Sequence, residues 1–269
     1  MGAAGRRASI AIIGGTGLEE MFNVSEVTNV GTPYGISYAI SICEVQGRRV
    51  AFLPRHGRKH DIPPHKINFR ANIYALHKLG VERIIATNAV GAINSNFKPG
   101  DIVIPHDLID FTRQRPLTFY DTAPVTHIDF TEPYCPELRR ILIEKAREVG
   151  DVHEQAVYVC TEGPRFETPA EIKMFKLLGC DVVGMTGVPE ATLARELGMC
   201  YATICFVSNM AAGIANRLTY NEVLEMSKRV MPKLRRIVYE TISSIPETRN
   251  CQCHLSIKLG RVGGAGGAT

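Results

Sequence analysis

The chain has 269 residues, 45% hydrophobic and 22% charged, with no tryptophan and a net charge of +4. That length can bury one sizeable α/β core or two smaller ones, and so mild a charge, with no long basic run, leaves no electrostatic footprint for nucleic acid. No stretch approaches the roughly 20 apolar residues of a membrane span, and no long apolar region follows Arg6 and Arg7, so no signal peptide is read and the cytoplasm is the expected compartment.

The first element is the apolar run Ile10 to Ile13, which breaks into Gly14, Gly15, Thr16 and Gly17. A short β-rich run bounded by glycines reads as a buried strand. Glycines at its end let the backbone approach an anion and point N–H groups at it, with the Thr16 hydroxyl as one more donor. The same GGTG reads equally well as a tight turn between strands. Neither a dinucleotide fingerprint nor a P-loop fits, because the third glycine and the Gly-Lys-Ser/Thr are missing.

Strand patterns follow at Ser37 to Val45 and Val50 to Leu53, then a helix from His65 to Leu79. A strand from Arg83 to Thr87 ends in a small-residue turn, and another covers Asp101 to Pro105. Pro136 to Val149 reads as a helix and Ala156 to Cys160 as a strand. A helix from Pro169 to Leu178 leads into "DVVGM" and a helix from Pro189 to Leu197. The strand "CYATICFVS" and a long amphipathic helix from Asn221 to Ser243 complete the body. Helices interleaved with short apolar strands predict a single α/β domain, a mixed and largely parallel β-sheet flanked by helices. Residues 1–8 form an N-terminal extension, 9–248 the domain, and 249–269 a C-terminal tail with a Cys-x-Cys pair and a glycine-rich, disordered end.

Eight cysteines lie at positions 43, 135, 160, 180, 200, 205, 251 and 253, with no CxxC spacing and no adjacent histidine cluster. This argues against a structural zinc site and for free buried thiols, the usual state in a cytosolic chain. Cys251-Gln252-Cys253 has a spacing that a strained bridge or a redox-active pair could use.

In open α/β sheets ligands gather at the carboxyl ends of strands. Those ends carry Thr16, then Arg55 and His56 in "PRHGRKH", Asn88 and Ala89 after Thr87, Met185 and Thr186 after "DVVG", and Asn209 after "ICFVS". Arg55 supplies the cation, able to hold a phosphate through two parallel N–H bonds, and His56, Thr16, Thr186 and the Ala89 amide add donors. Singly, each has an ordinary structural reading: a surface salt bridge for Arg55, a strand-end hydrogen bond for His56, caps for the threonines. Their convergence points to an anion site.

The segments "IIGGTGL", "PRHGRKHDIPPHKINFRANIYAL", "TNAVGAI", "KPGDIVIPHDLIDFT", "TEGPRFETPAEI" and "GMTGVPEATLARELGMCYA" cover most of Ile10 to Asn209. In sequence and order they resemble the trimeric purine nucleoside phosphorylase family, methylthioadenosine phosphorylase branch. The resemblance implies phosphorolysis, in which a purine nucleoside and phosphate give free purine and ribose 1-phosphate. Phosphate is a co-substrate, and no cofactor or metal is implied. It also implies phosphate binding by Thr16, Arg55, His56, Asn88, Ala89 and Thr186. Met185 would lie under the ribose and Phe166 would stack on the base. Met210 and Ala211 would line the base site beside Asn209. The implied assembly is a homotrimer or a dimer of trimers, with His127 reaching a neighbouring subunit's site; the ordinary reading of His127 is a buried, satisfied histidine. Relatives from hot environments imply Cys135 with Cys200, and Cys251 with Cys253, as candidate disulfides.

The chain departs from the methylthioadenosine branch at two places. Glu167 follows Phe166 where that branch has serine, and "SNMAAG" puts Asn209 and Ala211 at the positions of two aspartates. This is similar to the 6-oxopurine enzymes. A 6-oxopurine carries an N1–H that a Glu167 carboxylate accepts, whereas adenine N1 would set lone pair against lone pair. Asn209 can donate to O6 or N7 of the departing base. Glu167 has a competing reading, a helix-start acid stabilised by the dipole of the helix that "ETPAEI" opens. At the sugar's 5′ end, Tyr220, Val223 and Leu224 leave inosine, guanosine and methylthioinosine open, and Tyr220 reads equally as a helix-entry or core aromatic. The alternatives are a methylthioadenosine phosphorylase and, outside enzymes, a purine sensor. A redox or nucleotide-binding module using GGTG and Cys-x-Cys is disfavoured by the missing glycine and acidic residue.

Overall fold

The computed structural model describes residues 8–15, 18, 22–123, 125–214 and 219–257. Strand β1 (Ile10–Gly14) lies at the centre, between parallel neighbours on either side. Its alternation explains why it is apolar throughout. Ile10 and Ile12 pack into one core cluster and Ala11 and Ile13 into another on the opposite face. A strand covered on both faces has no polar side to show.

The strands β2 (Asn23–Thr28), β3 (Gly31–Thr32), β4 (Gly35–Ile36), β5 (Ile40–Val45) and β6 (Arg48–Pro54) follow. Helix α1 (Phe69–Lys78) then leads to β7 (Arg83–Ala92), β8 (Ile102–Val103) and β9 (Asp107–Phe111). Next come α2 (Pro136–Arg147), β10 (Val152–His153), β11 (Val157–Thr161), α3 (Pro169–Leu177), β12 (Val182–Gly184), α4 (Gly187–Glu196), β13 (Cys200–Met210) and α5 (Tyr220–Ser244). The main sheet runs β10-β8-β13-β7-β1-β6-β5-β2, with β12 joining β7, β11 joining β12, and β9 joining β11. The pairings β1–β6, β1–β7 and β7–β13 are parallel, whereas β5–β6, β2–β5, β8–β13 and β7–β12 are antiparallel. It is the expected mixed sheet flanked by helices. Helices α2 and α5 cover one face through Leu138, Leu142, Leu234 and Ile237. Helices α1 and α4 cover the other through Ile73, Leu76, Ala191 and Leu193. Among the described residues no helix is long and apolar enough to cross a membrane.

Three expectations need correction. The predicted strand ending at Thr87 instead continues to Ala92, because Gly91 and Ala92 pair antiparallel with β12. The predicted helix from His65 starts later, at Phe69, after a 3-10 turn at Pro64–Lys66, since the Asn68 side chain accepts from the Ala71 N–H as the cap. Third, the segment placed in a C-terminal tail packs onto the body as far as residue 257. Arg249 donates to the Gly198 carbonyl (3.0 Å), Ser256 donates to the Arg195 carbonyl (2.6 Å), and Cys251 and Cys253 are buried. The glycine-rich end lies outside the described residues, as does most of the N-terminal extension.

Candidate active site

The ends of β1, β6, β7, β12 and β13 open into one cleft of about 820 Å³, within the usual range for a small-molecule site. Arg55, His56, Asn88, Ala89, Phe166, Glu167, Met185, Thr186, Asn209, Ala211 and Tyr220 all line it, together with Val223 and Leu224. Thr16 lies outside the described residues. Gly15 does line the cleft, and a Cβ built there would meet nothing within 4 Å. The Arg55 backbone N–H donates to the Gly14 carbonyl (3.1 Å) beside it.

Arg55 is buried and already engaged. Its Nε and Nη2 donate to the two carboxylate oxygens of Glu190, and Nη1 donates to the Thr87 carbonyl at 2.8 Å. These bonds use three of the five guanidinium N–H groups. The two-bond grip expected on phosphate is therefore spent on Glu190, which Tyr201 also contacts by donating its hydroxyl (2.8 Å). Burial works to lower the arginine's pKa, but Glu190 outweighs it and the net shift is upward, so Arg55 stays charged. The remaining two N–H groups are what it can offer an anion. Glu190 sits in the first turn of α4 and escaped sequence reading, because an acid near a helix start has an ordinary role there.

His56 also departs from expectation. Its Nδ1 lies 2.8 Å from the Ile62 carbonyl, and a carbonyl only accepts, so Nδ1 carries the proton. Burial first, then the neighbouring Arg55 charge, pushes its pKa down to about 4. At neutral pH Nε2 is consequently a lone-pair acceptor rather than the extra donor predicted. It suits the hydroxyl of a hydrogen phosphate.

Asn88 and Thr186 form a chain: the Thr186 hydroxyl donates to Asn88 Oδ1 (2.7 Å) and Asn88 Nδ2 donates to the Thr203 hydroxyl (2.7 Å). Thr186 is the N-cap of α4, so the positive end of that helix dipole also faces this end of the cleft. Ala89 is the one position of β7 that is exposed, at the cleft floor.

At the other end, Thr168 caps α3 and forms a reciprocal capping box with Glu171. The acid that serves the helix start is therefore Glu171, and Glu167 is left to face the cleft. Its carboxylate accepts from the Thr161 hydroxyl at 2.6 Å, and burial raises its pKa above the ordinary value. Asn209 follows a bulge in β13 between Val207 and Asn209, an irregularity of the kind that re-aims a side chain. Its Nδ2 donates to the Met210 carbonyl (2.9 Å), and its Oδ1 accepts from the Ser208 hydroxyl (2.6 Å). That fixes the amide and leaves one N–H for a base. Met210 contributes this carbonyl, but its side chain packs against the core and not into the cleft, a correction to its expected place. Tyr220 is the first residue of α5 and half exposed at the cleft mouth, so it is an entry aromatic and not core.

A further residue missed in the sequence holds the two ends together. Arg115 is buried and donates from Nη1 to the Met185 carbonyl and from Nη2 to the Glu162 carbonyl, both at 2.6 Å. It clamps Met185, just past the end of β12, to the segment that carries Phe166 and Glu167. His127 does not line the cleft; it is exposed on the chain surface, against the reading of a buried histidine.

A mixed sheet with an anion-suited pocket at one end of its cleft and a carboxylate–amide pair at the other defines a nucleoside-phosphorylase-like α/β enzyme. Residues 9–243 match the family model described as the phosphorylase superfamily. The 6-oxopurine nucleoside phosphorylase of Pyrococcus furiosus is 53% identical over 260 residues, covering 93% of this chain and 97% of that protein. A Methanopyrus kandleri protein named "Probable S-methyl-5'-thioinosine phosphorylase" is 51% identical over 252 residues, covering 93% and 97%. Among solved structures, a methylthioadenosine phosphorylase sourced from an antarctic soil metagenomic library superposes with a TM-score of 0.91 at 35% identity, covering 96% of this chain and 93% of that one. The chain belongs to the phosphorylase superfamily.

Proposed function

We infer that the protein catalyses phosphorolysis of purine nucleosides and prefers 6-oxopurines: inosine, guanosine or 5′-methylthioinosine. The observation that carries this reading is that Glu167 and Asn209 line the same cleft as Arg55, His56, Asn88 and Thr186. The nucleophile is phosphate itself, so the protein's task is to hold it beneath C1′ while the glycosidic bond breaks through an oxocarbenium-like state. Arg55, the Asn88–Thr186 chain and the α4 N-terminus bind and orient the anion, and neutral His56 accepts its hydroxyl proton. Negative charge grows on the leaving purine. The free N–H of Asn209 meets it at N7 or O6, a preorganised donor aimed where charge develops, while Glu167 accepts N1–H. Phe166 stacks on the base and Met185 supports the ribose.

Adenine would place its N1 lone pair against the Glu167 carboxylate, and a polar site left unpaired discriminates by roughly 1–3 kcal/mol per group. A second reading, methylthioadenosine phosphorylase, draws on the raised Glu167 pKa, since a protonated Glu167 could donate to adenine N1. Phosphate is the co-substrate and no cofactor takes part. A homotrimer, or a dimer of trimers, is the proposed assembly; the exposure of His127 leaves it available to a neighbour's site, and the expected compartment is the cytoplasm. The test of the reaction is release of hypoxanthine from inosine with ribose 1-phosphate as the second product. Release that proceeds without phosphate would refute phosphorolysis. A fully active monomer in sedimentation would refute the assembly.

A further inference from the structure

Four of the eight cysteines converge at the end of the molecule remote in sequence from the glycine turn. Cys135 is the N-cap residue of α2, Cys200 opens β13, and Cys251 and Cys253 flank Gln252 in the turn that enters a short 3-10 helix at Cys253–Leu255. All four are buried. Their Sγ atoms all lie within 4.8 Å of one another, with Cys200 and Cys251 at 3.2 Å, and all are free thiols. Local spacing argued against a metal site because no CxxC pair exists. The fold supplies what the spacing lacks, by bringing together segments 51 and more residues apart.

We propose that Cys135, Cys200, Cys251 and Cys253 form a tetrahedral thiolate site for a thiophilic divalent cation, Zn²⁺. A Zn–S bond of about 2.3 Å in a tetrahedron sets neighbouring sulfurs about 3.8 Å apart, inside the span observed here. The donor set is soft, complete and closed to solvent, as in a structural rather than a catalytic site. Binding displaces the four thiol protons to water, and each sulfur gives one lone pair to the metal with no change in oxidation state. The resulting buried negative charge is met by the N-terminal end of α2, at Cys135. The site would pin the C-terminal turn, through residues 251 and 253, to the start of β13 and of α2. Two disulfides, such as Cys135–Cys200 with Cys251–Cys253, are the competing use of the same sulfurs.

The full chain, reduced with a non-chelating phosphine under anaerobic conditions and desalted, is titrated with Co²⁺ and then Zn²⁺. One equivalent of Co²⁺ should give thiolate-to-metal charge-transfer bands with tetrahedral d–d absorption, bleached by one equivalent of Zn²⁺. Cys253→Ser should weaken uptake at least tenfold, and Cys180→Ala should leave it unchanged. Protein purified anaerobically without chelator should carry one zinc per chain by native mass spectrometry. Absence of the charge-transfer bands overturns the proposal whether or not the serine variant folds. So does uptake that survives Cys253→Ser, or an as-purified mass four hydrogens light with no metal.

Discussion

Glu190 accepts from both Nε and Nη2 of Arg55 inside the protein, so the cation of the phosphate end is held by a carboxylate before any phosphate arrives. The pair is oriented further by Tyr201 on the acid and the Thr87 carbonyl on the arginine. This arrangement presents an arginine of fixed geometry rather than a free charge.

Its removal should therefore do two things. Arg55→Ala strands a buried carboxylate and should cost about 3–5 kcal/mol of stability as well as raising the KM for phosphate. Arg55→Met with Glu190→Leu removes both charges and should recover much of the stability, measured by thermal or denaturant unfolding, while phosphate saturation stays impaired. Recovery of normal phosphate saturation in the double variant would show that the arginine does not serve the anion.

His56 should titrate near pH 4 in the free protein when followed by NMR of its ring protons. The depressed value has a defined sign: the folded state holds the neutral ring, so its contribution to stability is full above about pH 6.5 and is lost as pH falls toward 4. Saturating phosphate should raise the pKa, because an anion beside Nε2 favours the imidazolium. A free-protein value at the ordinary 6.5 would contradict the buried geometry.

The elevated pKa of Glu167 makes base choice depend on pH. As pH falls, Glu167 protonates above the ordinary carboxylate range and stops accepting N1–H, so the inosine-to-adenosine ratio of kcat/KM should drop on the acid side. Glu167→Leu, which leaves N1–H with no acceptor, should lower kcat/KM for inosine by about 10–100-fold and flatten that pH dependence, the loss of about 1–3 kcal/mol expected for one unsatisfied buried group. An unchanged ratio in the variant would remove Glu167 from base recognition.

Much of this was legible in the sequence, for reasons that differ by residue. The run Ile10 to Ile13 announced a strand buried on both faces because it is apolar at every position. Arg55, Phe166, Glu167 and Asn209 were legible because the motifs that carry them are local. Glu190 and Arg115 were not, since Glu190 is tied to Arg55, 135 residues away, and Arg115 to Glu162 and Met185, 47 and 70 residues away, and nothing local separates them from ordinary charged residues. The donor role assigned to His56 failed for a different reason: the Ile62 carbonyl that takes its Nδ1 proton is only six residues away, but the loop conformation that brings it there has no sequence signature. The reach of β7 past Thr87 depended on its pairing with β12, which periodicity cannot show.

The central claim is that this cleft cleaves 6-oxopurine nucleosides with phosphate, and it is tested by one side-by-side measurement. Inosine, adenosine, 5′-methylthioinosine and 5′-methylthioadenosine are each assayed for kcat/KM at neutral pH, with and without phosphate. The predicted result is phosphate-dependent turnover of both 6-oxo substrates at least tenfold above their adenine counterparts, the smallest ratio that about 1.4 kcal/mol of discrimination gives. The ratio within the 6-oxo pair then reports whether Tyr220 serves a 5′-hydroxyl or a thioether. Equal or faster turnover of the adenine pair would contradict the assignment of Glu167 and Asn209.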